Sequence, residues 1–126
     1  MRLYVPEIKD QLLLQEDWTF KFYPERRNVP LGIKLGLAEK GPHSYSWPLW
    51  KVDGKFVSGR DFIFIDSEDF HYTVTLKAGT LLQVDRIYIR KGNSDYSSLS
   101  FYIKNGEYKG ARFWAKLKDV NEINFE

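Results

Sequence analysis

The chain has no cysteine, one methionine, two histidines and five prolines among 126 residues. Without cysteine there is no disulfide framework, no thiolate nucleophile and no Cys-type zinc site. The two histidines, His43 beside Pro42 and His71 at the head of a strand pattern, lie in unrelated segments and form no convergent base or metal set. Long apolar runs are missing too: the longest reach only about four residues, as at Phe62-Ile63-Phe64-Ile65, so nothing reads as a membrane span. Residues 1–7 turn charged before any apolar stretch builds up, so no signal peptide is read and a cytoplasmic location is expected. There is no phosphate-cradling glycine loop and no Ser-His-Asp order. Asp66, Glu68 and Asp69 carry oxygen ligands, but without the longer loop and glycine of an EF-hand they read as a solvated turn. No cofactor and no metal are therefore expected, and the chain does not read as an enzyme.

Aromatic residues are what the chain has in excess, with 9 Phe, 8 Tyr and 4 Trp. Such side chains fit a pleated, half-buried surface, so a mainly β fold is expected. The length suits one compact domain over residues 1–126, with an aromatic-rich, mostly β segment over 1–60 and a second half over 70–126. A net charge of +2 is too small to imply a nucleic-acid partner by itself, but the charge is segregated. From Lys77 to Lys118 nine basic residues face three acidic ones, whereas Asp61, Asp66, Glu68 and Asp69 sit together just upstream.

Period-2 alternation sets the strands. Short strands are expected at residues 3–5 and 11–15, and Trp18, Phe20 and Phe22 share one face. Residues 23–30 read as a proline-bounded loop. Leu31, Ile33, Leu35 and Leu37 alternate like a strand that Gly32 and Gly36 weaken, with a short helix over residues 32–39 as the competing reading. Asp53-Gly54 between two apolar runs specifies a tight hairpin, because both central residues of a type I′ turn take positive φ. Residues 62–65 read as a short buried strand, and Tyr72, Val74 and Leu76 point inward from the next. In residues 81–90 the apolar phase slips: Leu82 and Val84 share one face, Ile87 and Ile89 the other, so a bulge or bend is expected near Asp85-Arg86. Leu99, Phe101 and Ile103, then Ala111, Phe113, Ala115 and Leu117, form inward rows around an Asn105-Gly106 turn. One 3₁₀ turn over residues 118–121 and a short strand at 123–125 close the chain.

The order from residue 70 onward resembles an SH3-like small barrel: strand, turn, long bent strand, two hairpin-linked strands, 3₁₀ turn and closing strand. The expected architecture is therefore an SH3-like barrel in the C-terminal half with the N-terminal segment packed on it. Lys77-Ala78-Gly79-Thr80-Leu81-Leu82-Gln83-Val84 is similar to the opening of KOW-type modules, and departs from it at Asp85-Arg86-Ile87, where such modules place a glycine. The whole chain also resembles small proteins of tailed-phage genomes, a likeness that implies no activity.

Parity assigns the outward row as firmly as the inward one. Arg86, Tyr88 and Arg90, then Tyr102 and Lys104, then Arg112, Trp114 and Lys116 fall on one shared outer face, with Lys91 extending it. Aromatic plates interleaved with cations suit single-stranded nucleic acid, since bases stack on the rings while the cations track the phosphates. The opposing reading is that the aromatic N-terminal half covers this face, or that its residues form ordinary cross-strand pairs. Arg26 and Arg27 in the loop after Tyr23 could add phosphate contacts, or Glu25 could simply pair with one of them. A second functional reading is a protein-interaction adaptor or inhibitor, phage-encoded in keeping with that likeness, that docks through Tyr45, Trp47 and Trp50.

Overall fold

The computed structural model describes residues 7–41, 46–58, 70–88 and 97–123. The strands expected at 3–5 and 62–65, the acidic turn at Asp66, Glu68 and Asp69, His43, and most of the closing strand at 123–125 lie outside the described residues. The fold is mainly β, as expected. Among the described residues are nine strands: β1 (Gln11–Leu13), β2 (Trp18–Phe22), β3 (Ala38–Glu39), β4 (Leu49–Val52), β5 (Lys55–Ser58), β6 (Tyr72–Leu76), β7 (Leu81–Tyr88), β8 (Ser98–Ile103) and β9 (Arg112–Lys116). Helical structure among the described residues is confined to a 3₁₀ turn at Arg26–Asn28 and two short helices, α1 (Val29–Lys34) and α2 (Leu117–Val120). No helix among the described residues is long and apolar enough to cross a membrane.

Among the described residues three antiparallel sheets form, in the orders β1-β7-β8-β9, β2-β6 and β3-β4-β5. The second half does not pair only with itself: β7 takes β1 on its outer side and β6 takes β2. The two halves thus share sheets and one core. The alternation of Trp18, Phe20 and Phe22 sends all three rings inward from β2. There Phe20 stacks on Phe113 at a 5.4 Å centroid separation, and Trp18 meets Phe101 edge-on at 6.1 Å. The indole N–H of Trp18 donates to the Asp119 carbonyl at 2.9 Å, which ties β2 to α2 and satisfies a donor that burial would otherwise strand.

The local expectations meet the structure unevenly. The register of β7 against β8 shifts between Val84 and Arg86, so the apolar phase slip is a bulge at Asp85. Asp53 and Gly54, at φ 50° and 81°, make the two-residue β4–β5 turn. The 3₁₀ turn expected at 118–121 is instead one α-helical turn beginning at Leu117. Residues 23–25 are irregular, as the loop reading has it, but Arg26–Asn28 form a 3₁₀ turn running into α1. The strand expected through residues 31–37 does not form, and the competing helix is right only for residues 32–34, with 38 and 39 in β3. α1 starts earlier, with Pro30 in its first turn, and ends at Lys34. Gly32 explains the error. It is a point of close approach, where a Cβ would lie 2.9 Å from Cζ3 of Trp50 and 3.0 Å from the Ala38 Cβ. The glycine that looked like a weakened strand is what lets α1 rest on an indole.

Candidate functional site

In the β7-β8-β9 sheet, residues directly opposite one another share a face. Gln83, Tyr102 and Arg112 form one cross-strand row, Arg86, Ser100 and Trp114 a second, and Tyr88, Ser98 and Lys116 a third. The bulge adds Asp85 beside this face, where its Oδ2 lies 2.8 Å from Nη2 of Arg112. Six of the outward residues named from sequence are therefore brought together, with Lys104 just beyond the end of β8. Arg90 and Lys91 lie outside the described residues.

The middle strand contributes only serines to the two rows nearest Tyr88 and Trp114. Strands repeat every 4.7–4.9 Å, so β7 and β9 stand about 10 Å apart, and small residues between them leave a trough. Arg27 fills it. Its guanidinium carbon lies 5.4 Å from the Tyr88 ring centre and 5.1 Å from that of Trp114, within cation–π range of both. Tyr23 stacks on Trp114 with ring planes only 3° apart and centres 5.4 Å apart, and Nζ of Lys116 sits 5.0 Å from the Tyr23 ring. Arg112 lies over Tyr102 at 5.7 Å. Cations and rings alternate across the whole surface.

The segment carrying Tyr23 and Arg27 is held by Asn28. This side chain is fully buried, accepts the Trp114 backbone N–H at 2.8 Å and donates to the Tyr23 carbonyl at 2.9 Å. β9 is the last strand of its sheet among the described residues, and such an edge presents unpaired N–H groups. Asn28 satisfies one of them, so the segment crosses the edge, sends Leu31 into the core and lays Tyr23 and Arg27 over the outer face.

Two assignments need correction. Trp114 is not an open plate: Tyr23 and Arg27 cover it, and only 8% of it is exposed. Trp50 is not a surface anchor, because it is 1% exposed beside Phe22, Tyr72 and Gly32. Trp47 is 53% exposed, and Tyr45 lies outside the described residues. What remains open on the sheet face is Tyr88, at 40% exposure, flanked by Arg86 and Arg27, with Tyr102, Arg112 and Lys116 half-buried and Lys104 exposed. Arg26 is exposed in the 3₁₀ turn. Sequence reasoning singled out this segment for Arg26 and Arg27 but gave Tyr23 and Asn28 no role, although Asn followed by Val-Pro is a helix-start signal.

The electrostatics agree with the geometry. A hydrogen bond from Arg86 Nη1 to the Tyr88 hydroxyl, with Arg27 and Arg112 nearby, pulls the Tyr88 phenol below its ordinary value. Arg27 Nε donates to Glu25 Oε1 at 2.6 Å, and both side chains are exposed. Among the described residues no group of three or more His, Asp or Glu is placed to hold a metal ion. No protein-family model, curated protein or solved structure matches the chain, so its function is read from the chemistry of this face.

Proposed function

We propose that the chain is a non-enzymatic binding module that takes single-stranded nucleic acid on the outer face of β7, β8 and β9. The observation that carries the reading is the exposed Tyr88 ring set between Arg86 and Arg27. A base stacks on Tyr88, with Tyr102 as the next plate, while Arg86, Arg112, Lys104 and Lys116 track phosphates. Trp114 has a supporting role, keeping Tyr23 and Arg27 in place. The SH3-like likeness stays a proposal for the order from β6 to α2, a strand, a turn, a long bulged strand, a hairpin and a helical turn.

Fluorescence anisotropy with a labelled single-stranded oligonucleotide tests this. Binding is expected to weaken with salt, and Lys104→Ala to flatten the logarithmic slope by about 0.7 if it neutralises one phosphate. Tyr88→Ala is expected to cost about 1–3 kcal/mol, the value of one stacked base. Absence of any binding at low salt overturns the proposal.

A second reading, a protein-interaction adaptor or inhibitor, is supported by Trp47 together with Phe56, which is also exposed. It loses Trp50 as an anchor. Under this reading Trp47→Ala abolishes capture of a partner that survives nuclease treatment.

A further inference from the structure

We infer that Arg27 is a ligand-binding residue of this face, latched in the free protein by Glu25, and that a backbone phosphate takes the place of that carboxylate. The inference rests on the nucleic-acid reading above and names the contact at its centre. Arg27 lies within cation–π distance of both Tyr88 of β7 and Trp114 of β9, the strands that flank β8, and so reaches across the face. A guanidinium that faces rings keeps its five N–H donors in its own plane. One of them, on Nε, is engaged by Glu25. Phosphate geometry matches the guanidinium fork, so a phosphate can take two of its donors where Glu25 takes one, on Nε. The carboxylate it would displace is exposed, as is Arg27, and exposed ion pairs of this kind are weak. Exchange therefore needs no movement of Arg27 off its rings: Glu25 swings into water and a phosphate oxygen takes over the same edge. The 3₁₀ turn is undisturbed, because the Asn28 backbone N–H bonds to the backbone carbonyl of Glu25 and not to its side chain.

The test compares Glu25→Gln with Glu16→Gln. The two make the same change in net charge, and Glu16 lies close to Leu14, which pairs with Thr80 at the opposite end of β7 from Tyr88. A labelled oligothymidylate is the probe, and thermal unfolding confirms that both variants fold. Glu25→Gln is expected to bind about two- to fivefold more tightly than Glu16→Gln, the range set by a weak exposed pair. That gain should vanish when Arg27→Ala is added, as a double-mutant cycle requires of a shared contact. If the wild type binds and the two Gln variants match, the latch is overturned and the face stands. If neither the wild type nor Glu25→Gln binds at low salt, the nucleic-acid reading itself falls and the latch falls with it.

Discussion

The two faces of the β7-β8-β9 sheet are built from opposite materials. Inward, Leu82, Val84, Leu99, Phe101, Ile103, Phe113 and Ala115 are almost wholly buried, and Trp18 and Phe20 pack on them from β2. Outward, serines occupy the centre, and rings and a cation from β7 and β9 meet a single crossing segment, residues 23–28. Burial on the inner face is non-directional and scales with area. The outer contacts are directional, individually weak and exposed to competition from any ligand of suitable charge. The same strands therefore hold the fold with one face and carry directional, partly exposed contacts on the other.

Truncating Phe113→Ala strikes the first face and is expected to cost about 3–5 kcal/mol in denaturant unfolding, the range for a buried ring. Tyr88→Ala, two strands away on the other face, should change stability by well under about 1 kcal/mol while weakening the proposed oligonucleotide binding by the about 1–3 kcal/mol of one stacked base. Equal losses from the two would break the contrast. Asn28→Ala falls between them, since it strands the buried Trp114 N–H and the Tyr23 carbonyl together. A cost of about 1–3 kcal/mol is expected for such orphaned groups. Because the crossing segment loosens, intrinsic tryptophan fluorescence should also report greater exposure of Trp114. An unchanged spectrum would mean that Asn28 does not set the cover.

The inner face was legible because parity is a local property. The shift from Leu82 and Val84 to Ile87 located the bulge at Asp85, and Asp53-Gly54 located the β4–β5 turn. The cover of the outer face was legible only in part. Its composition came from the same parity, but what lies on Trp114 depends on a segment eighty-six residues earlier, joined through Asn28. Asn28 stands at the N-cap position of α1, yet its side chain caps nothing in the helix and is used instead on the edge of β9. A helix start can be read from sequence; the strand edge that Asn28 serves cannot. Trp50 failed for a related reason: Asp53-Gly54 marked the hairpin that carries it, but nothing local marked its packing on the distant Gly32.

The smallest expected effect is an alkaline titration that separates the two environments through a pair of tyrosines. Burial pushes Tyr72 up to about 12, and its hydroxyl donates to the Lys51 carbonyl at 2.6 Å. Tyr88 moves the other way, because Arg86 and its neighbours favour the phenolate. An unfolded tyrosine titrates near about 10. Between that value and about 12 the folded chain holds a proton on Tyr72 that the unfolded chain has released, so Tyr72 makes stability fall as pH rises through this window. Tyr88 has the opposite sign: the folded state releases its proton first, and the small stabilisation is complete only above the unfolded value and lost as pH falls through the folded one. Phenolate absorbance should therefore show an early step that Tyr88→Phe removes and a late step that Tyr72→Phe removes. Tyr72→Phe should also flatten the alkaline decline in melting temperature. If Tyr88→Phe leaves the first step intact, the cluster of arginines around that ring does not act on it, and the electrostatic half of the contrast between the faces fails.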